Sequence, residues 1–286
     1  MRGVQMDVAS EQSVEKAVHT IAAVLQSEGY VLHALVNNAG VQEGAFVDWN
    51  SMAAYENCMK VNFYGLVRVT KLCLPLLKAS RGRVVNLTSI DGLRALPGNS
   101  AYSASKHAAE AFTSTLRWEM SAFGVSVHSV CPGTFKTHMA SNAPSKLREI
   151  WNQSLRENRE EYGNGFFNRA SSLVSALMGA ASSRQHKVGE AVAHAATAWF
   201  PSRRYIVGYD AILFWKPIRD CFPEFLTDSL VDLFLFLFFL GVRPSFRTPS
   251  PAQEAMSPRA LPVSSPRAVT SPRFAPSSPR ARELMR

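Results

Sequence analysis

The chain reads as an α/β protein, a parallel sheet with helices on both faces. Two observations predict this. The apolar runs Ala34-Leu35-Val36 and Val84-Val85 look like strands buried on both sides. Between such runs lie longer stretches whose apolar residues recur at helical spacing. Strands alternating with helices assemble into parallel sheets through right-handed crossovers.

Each element follows in turn. Residues 4–8, Val4-Gln5-Met6-Asp7-Val8, read as a short strand. Residues 11–27 read as a helix: Ser10 and Glu11 suit its start, and Val14, Ala17, Val18, Ile21 and Leu25 share a face. A strand at 33–36 comes next, then a helix across 51–78 with an interruption expected near Pro75. Strand 83–88, helix 101–123 and strand 125–130 continue the alternation. A charged helical stretch around 146–161 follows, then a helix at 188–199 and a last strand at 204–208.

A chain of 286 residues is long enough to bury a sizeable core. Its net charge of +9 is unevenly placed. Residues 243–286 hold eight Arg against Glu254 and Glu283, so +6 sits there and +3 in the rest. The body is near balance, which gives no footprint of a DNA-reading fold, and no specific nucleic-acid partner is expected. Cys58, Cys73, Cys131 and Cys221 form no C-x-x-C pair, so buried reduced thiols are expected, with no metal site. No signal peptide is visible at the start.

Three regions are expected: a main domain over 1–228, a hydrophobic segment over 229–243 and a disordered tail over 244–286. The segment contains Leu-Phe-Leu-Phe-Leu-Phe-Phe-Leu at 233–240, too short for a span, which needs about 20 residues. It reads as either a short buried helix or a membrane anchor abutting a basic tail. In the tail, Ser-Pro-Arg recurs at Ser257, Ser265, Ser271 and Ser278, without the apolar content that would offset ordering entropy.

In open parallel sheets, ligands bind at the carboxyl ends of the strands. Asn37-Asn38-Ala39-Gly40, Ser89 and Pro132-Gly133 all sit just past predicted strand ends, so they converge on one edge. Tyr102 and Lys106 stand four apart on a predicted helix and share a face. An ammonium ~4 Å from a phenol, at an effective dielectric of ~20, favours the phenolate by about 4 kcal/mol, roughly three pKa units. Such a shift brings a phenol towards neutrality, where a general acid/base works best. The spacing alone also describes many solvated helix faces.

Its company is more specific. Asn37-Asn38-Ala39-Gly40, Asn62, Ser89, Tyr102-Ser-Ala-Ser-Lys106 and Pro132-Gly133 with Thr137, in this order and spacing, resemble the short-chain dehydrogenase/reductase family. The resemblance covers roughly residues 1–228 and implies a Rossmann-like sheet and an NAD(P)-dependent oxidoreductase. The family's T-G-x-x-x-G-x-G turn is not found in these residues, and Asp7-Val8 looks like the family's third strand. The first two strand–helix units are therefore expected to be absent.

The resemblance implies roles. Tyr102 is the acid/base, Lys106 tunes it and bonds the nicotinamide ribose, Ser89 orients the substrate oxygen, and Asn62 helps hold a water relay to Lys106. Asp7 and Val8 fall at the adenine, Asn38, Ala39 and Gly40 along the cofactor, and Pro132, Gly133 and Thr137 at the nicotinamide. NAD and NADP are not distinguished. His107 is expected on the helix surface.

The run Asp210-Ala211 … Trp215-Lys216-Pro217 is similar to the retinol/17β-hydroxysteroid dehydrogenase branch, while Leu116-Arg117-Trp118-Glu119-Met120 is similar to 3-hydroxybutyrate dehydrogenase. The first implies a hydrophobic alcohol or ketone of retinoid or steroid type; a homodimer is also expected, and the apolar run beside the basic tail points to a membrane site, in the endoplasmic reticulum, with mitochondrion or cytoplasm as alternatives. The second leaves a hydroxy acid open. A catalytically inactive remnant and a membrane-tethered interaction protein are the remaining readings.

Overall fold

The computed structural model describes residues 2–221 and 223–239. The tail expected over 244–286, and the end of the hydrophobic segment, lie outside them. Four strands, β1 (Ala34–Asn37), β2 (Arg83–Leu87), β3 (Ser126–Pro132) and β4 (Arg204–Val207), form one parallel sheet in the order β1-β2-β3-β4. The sheet is Rossmann-like, as its alternation with helices predicts.

Helix α1 (Glu11–Glu28) starts where Ser10 Oγ accepts the Ser13 N–H and ends at Gly29, whose φ of 69° suits glycine. Its Val14 and Val18 pack with Val69, Cys73 and Leu77 of α3 (Leu66–Ser80) and with Val84 and Val127 on one face of the sheet. Val85 and Val130 point the other way, against Ala195 of α8 (His186–Thr197). Adjacent residues 84 and 85 thus bury opposite faces, the reason β2 reads as a continuous apolar run.

Two readings of the sequence are corrected here. Residues 4–8 form no strand. A strand needs a neighbour's backbone ladder, and β1 pairs only with β2 among the described residues. The segment is fastened instead to α3, where Arg68 Nη1 donates to the Val8 carbonyl at 2.6 Å.

The second correction concerns residues 51–78. Their break is not at Pro75, which lies inside α3. Pro75 has no N–H to offer the carbonyl four residues back, at exposed Lys71, yet the helix runs through it. The irregularity is a π-helical turn, Met59–Gly65, between α2 (Met52–Cys58) and α3. It carries Asn62.

Beyond β3 lie α5 (His138–Ser141), α6 (Ala143–Gln153) and α7 (Arg156–Gly179), the last kinked at Gly163. The charged helical stretch also builds a second core. Trp49 meets Trp151 edge-on at 4.6 Å, and Phe166 stacks on Phe239 at 4.1 Å. After β4 come a π-helical turn (Ala211–Trp215), α9 (Lys216–Cys221) and α10 (Glu224–Phe238). Helix α10 falls short of a span, and no helix among the described residues is long and apolar enough to cross a membrane.

Candidate active site

The carboxyl ends of the strands share one edge because every pairing is parallel and in register: Asn37 faces Asn86, Leu87 faces Val130, and Pro132 faces Val207. Just behind that edge runs a buried polar ladder. Asn37 Nδ2 donates to Thr70 Oγ1 at 2.9 Å and to Asn86 Oδ1 at 2.8 Å, and Asn86 Nδ2 donates to Thr113 Oγ1 at 2.8 Å. These bonds tie β1, α3, β2 and α4 (Ser100–Ser121) together, so Asn37 braces the sheet.

Tyr102 and Lys106 lie one turn apart on α4, with Lys106 Nζ 5.6 Å from the Tyr102 ring centroid. Ser89 follows β2, and its hydroxyl lies close enough to Tyr102 to pull the phenol's pKa down. Its hydroxyl oxygen accepts the Asp91 N–H at 3.1 Å, at the head of a 3₁₀ turn (Ile90–Gly92). Asn62 is fully engaged: its Oδ1 accepts the Val41 N–H at 2.8 Å, while Nδ2 donates to the Val41 carbonyl and to Ser105 Oγ. The amide clamps the chain leaving Gly40, and a π turn in this place suits a functional site. A Cβ on Gly40 would lie 3.3 Å from Asn62 Oδ1 and 3.6 Å from Lys106 Nζ. Gly40, Asn62, Ser89, Tyr102 and Lys106 therefore come together.

The expected lowering of the Tyr102 pKa is reversed. Loss of water around the phenol pushes it well above its ordinary value, the Asp91 carboxylate adds to the rise, and the Ser89 hydrogen bond offsets part of it. Part of the Tyr102 residue surface stays accessible, but its hydroxyl is the desolvated end. Lys106 does not offset the rise; its Nζ donates to the Leu87 carbonyl at 3.1 Å. Burial pulls Lys106 itself down to about 8, against opposite pulls from Cys131, Cys58, Asp91 and Glu110.

The remaining expected residues divide. Pro132 ends β3, and Gly133 N–H donates to the Val207 carbonyl at 2.7 Å, which fixes the exit of the strand beside β4. Thr137 Oγ1 caps α5 through the Ala140 N–H at 3.1 Å. Asn38 and Ala39 are exposed just past β1, beside Gly40. Asp7 and Val8 stand apart in the turn before α1: Asp7 Oδ1 accepts the Ala9 N–H, and Val8 packs on Gly65. His107 is exposed, with Nδ1 donating to the Ser103 carbonyl at 2.9 Å. Cys58, Cys73 and Cys131 are buried free thiols, and no metal-binding cluster occurs among the described residues.

Two acids were missed from sequence. Asp91 takes a hydrogen bond from Asn99 Nδ2 at 2.6 Å, and Asp210 takes one from the Thr134 N–H at 2.7 Å. Nothing in their local spacing marks them; Asp210 lies within the quoted Asp-Ala run but carried no role.

The donor set suits the ribose–nicotinamide end of a dinucleotide. Lys106 offers a cation at the strand edge with one backbone acceptor, and Gly40 leaves room where a side chain would fill the approach to Asn62 and Lys106. Backbone donors of a Gly-rich turn, which would take the pyrophosphate, are not found in this sequence.

The family described as short chain dehydrogenase matches residues 1–148. The chain is 36% identical over 237 residues to the mitochondrial D-beta-hydroxybutyrate dehydrogenase of Rattus norvegicus, covering 80% of this chain and 68% of the relative. It is 33% identical to retinol dehydrogenase 7 of Mus musculus over 84% of this chain and 73% of that one. It is 37% identical to 17-beta-hydroxysteroid dehydrogenase type 6 of Rattus norvegicus, over 80% and 71% respectively. Among solved structures, a short-chain dehydrogenase from Streptomyces avermitilis shares the fold with a TM-score of 0.59 at 23% identity, covering 82% of this chain and 77% of that one. One from Burkholderia phymatum in complex with NAD does so at 0.56 and 22%, covering 87% and 80%.

Proposed function

The chain belongs to the short-chain dehydrogenase/reductase family, in its retinol- and steroid-like branch, and from that premise we propose that Ser89, Tyr102, Lys106 and Asn62 interconvert a hydrophobic alcohol and its carbonyl. Membership makes it an NAD- or NADP-dependent oxidoreductase of alcohols and carbonyls. The retinoid or steroid type of substrate is our finer reading. The observation that carries the site is the convergence of Ser89, Tyr102 and Lys106 with Gly40 at the carboxyl edge of the sheet.

NAD or NADP, when bound, supplies the hydride acceptor or donor. Tyr102 exchanges a proton with the substrate oxygen, and Ser89 orients that oxygen by hydrogen bonding. Lys106 is assigned to the ribose, and Asn62, bonded to both polar groups of the Val41 backbone, supports the chain after Gly40. Asn38, Ala39, Gly40, Pro132, Gly133 and Thr137 are assigned to the cofactor wall. Asp7 and Val8, in the turn before α1, are assigned to the adenine end. A hydrophobic substrate is our reading from the relatives named for retinol and 17-beta-hydroxysteroid. A 3-hydroxy acid, the substrate class in the name of one relative, would need a cation, and Arg148 lies over the Phe167 ring of the second core at 5.4 Å.

Helix α10 supports membrane association. Its Leu230, Leu233 and Leu237 are each more than half exposed and share one face, while Leu235 packs inward on the aromatic core. We assign the protein to a membrane surface, of the endoplasmic reticulum or the mitochondrion.

The site is tested by Tyr102→Phe, assayed in a chain that carries the family's Gly-rich turn ahead of residue 1. Turnover should fall by about 10²–10⁴-fold with cofactor affinity nearly unchanged, because only the proton is removed. Retention of more than about a tenth of the activity refutes the assignment.

A further inference from the structure

Asp91 is the acid that the known roles leave unused. It lies between two of the reacting side chains. Two residues before it, Ser89 Oγ accepts its backbone N–H at 3.1 Å. One residue after it, Gly92 packs so closely on α4 that a Cβ there would lie 2.7 Å from the Lys106 carbonyl oxygen and 3.2 Å from Lys106 Cβ. Asn99, at the start of α4, holds the carboxylate through Nδ2 at 2.6 Å.

We propose that Asp91 is a third ionisable member of the site, a positioning residue that orients the Ser89 hydroxyl through its backbone and sets the charge on Lys106 and Tyr102 through its carboxyl group. The inference rests on the reading of Ser89, Tyr102 and Lys106 as the reacting set. Ser89 Oγ holds the Asp91 N–H on one of its two lone pairs, which leaves its own O–H free to turn away from the 3₁₀ turn.

The charges around Asp91 come from three elements. From α4, His107 and Lys106 favour its ionised form; from the end of β4, Asp210 opposes it. Within the 3₁₀ turn the carboxylate is poorly solvated, which pushes it up to about 6, while the Asn99 bond pulls it down. In return the ionised carboxylate raises the pKa of both neighbours, adding to the larger effect of burial on Tyr102 and opposing it on Lys106. The acid thus changes charge within the working range of a cellular enzyme, and its neighbours respond.

Two titrations of the full 286-residue chain test this without turnover. In protein carrying carbon-13 in its Asp carboxyl groups, one signal should titrate near pH 6 and vanish in Asp91→Asn. In protein carrying nitrogen-15 lysine, the Lys106 signal, identified by its loss in Lys106→Met, should titrate near pH 8. Asp91→Asn keeps the backbone donor and the shape but removes the charge, so the Lys106 midpoint should drop by about half a pH unit or more. An unchanged Lys106 midpoint in a cooperatively melting Asp91→Asn variant overturns the proposal. If that variant does not fold, the wild-type carboxyl titration still decides, because no Asp signal titrating above about pH 5 overturns it equally. The Tyr102→Phe assay tests the site and these titrations test Asp91, so either can fail alone.

Discussion

The carboxylate of Asp210 accepts the Thr134 N–H at 2.7 Å and so staples the chain leaving β3 to the chain leaving β4. The same carboxylate occupies the space where a side chain on Gly133 would begin, and it lies 2.7 Å from the corresponding point on Gly208. Gly208 has a φ of 120°, so glycine is required there by conformation as well as by space.

Gly133→Ala should therefore force Asp210 aside and break the Thr134 bond. Overpacking and an unpaired N–H together should cost about 1–3 kcal/mol, read as a lower urea midpoint with unchanged slope. Wild-type stability in the alanine variant would show that Asp210 moves freely and is no staple.

The legible parts of the fold were those that local pattern determines. Val84 and Val85 read as a two-faced strand because alternation puts one on each side. Tyr102 and Lys106 read as a pair because helix geometry puts them together. Residues 4–8 misled because strand formation depends on a neighbour, which the β-rich composition of Val4 and Val8 cannot supply. The π turn around Asn62 was hidden because its residues suit an α-helix equally well. Asp91 and the rise of the Tyr102 pKa were hidden for another reason: desolvation depends on what packs around a group, which spacing along the chain does not carry.

Burial of Lys106 gives a pH signature of stability. Its pKa is lowered to about 8 in the folded state from an unfolded value of 10.5, so between these limits the unfolded chain binds the extra proton and stability rises with pH. The buried thiols of Cys58, Cys73 and Cys131 are shifted upward and act oppositely in the alkaline range. The difference between wild type and Lys106→Met isolates the lysine. That difference should move in favour of wild type by about 3 kcal/mol from pH 7 to pH 10.5. A flat difference curve from denaturant titrations would mean that Lys106 stays fully protonated in the fold.

The exposed face of α10 makes membrane attachment testable without disturbing the core. Removing the helix would uncover Phe166 and Trp49, because Leu235 and Phe239 pack on their cluster. Leu230, Leu233 and Leu237 point outward, so replacing all three with Ser removes apolar surface at little cost to folding. The triple variant should lose its flotation with vesicles rich in anionic lipid, which the wild-type chain should bind. Recovery of the wild-type chain in the soluble fraction of a low-salt, detergent-free extract would remove the membrane reading.

These 286 residues, tested on their own, should bind dinucleotide weakly. Lys106 and Gly40 offer a site for one ribose, but a pyrophosphate needs several backbone N–H groups at a helix N-terminus, and no Gly-rich turn in this sequence supplies them. The sheet edge points the same way. β1 is the outermost strand described, and its Val36 is 41% exposed although such residues in parallel sheets are normally covered on both faces. Apolar surface left open there forgoes roughly 25 cal/mol per Å² and leaves the loop at Asn38-Ala39 without support on that side. A ligand present at 100 times its dissociation constant stabilises a protein by about 2.7 kcal/mol. With NADH or NADPH at sub-millimolar concentration the melting temperature should hardly move, and adding a strand–Gly-rich turn–helix segment ahead of residue 1 should restore a clear shift. A clear shift in the 286-residue chain itself would mean that the Lys106 half of the site holds the cofactor unaided.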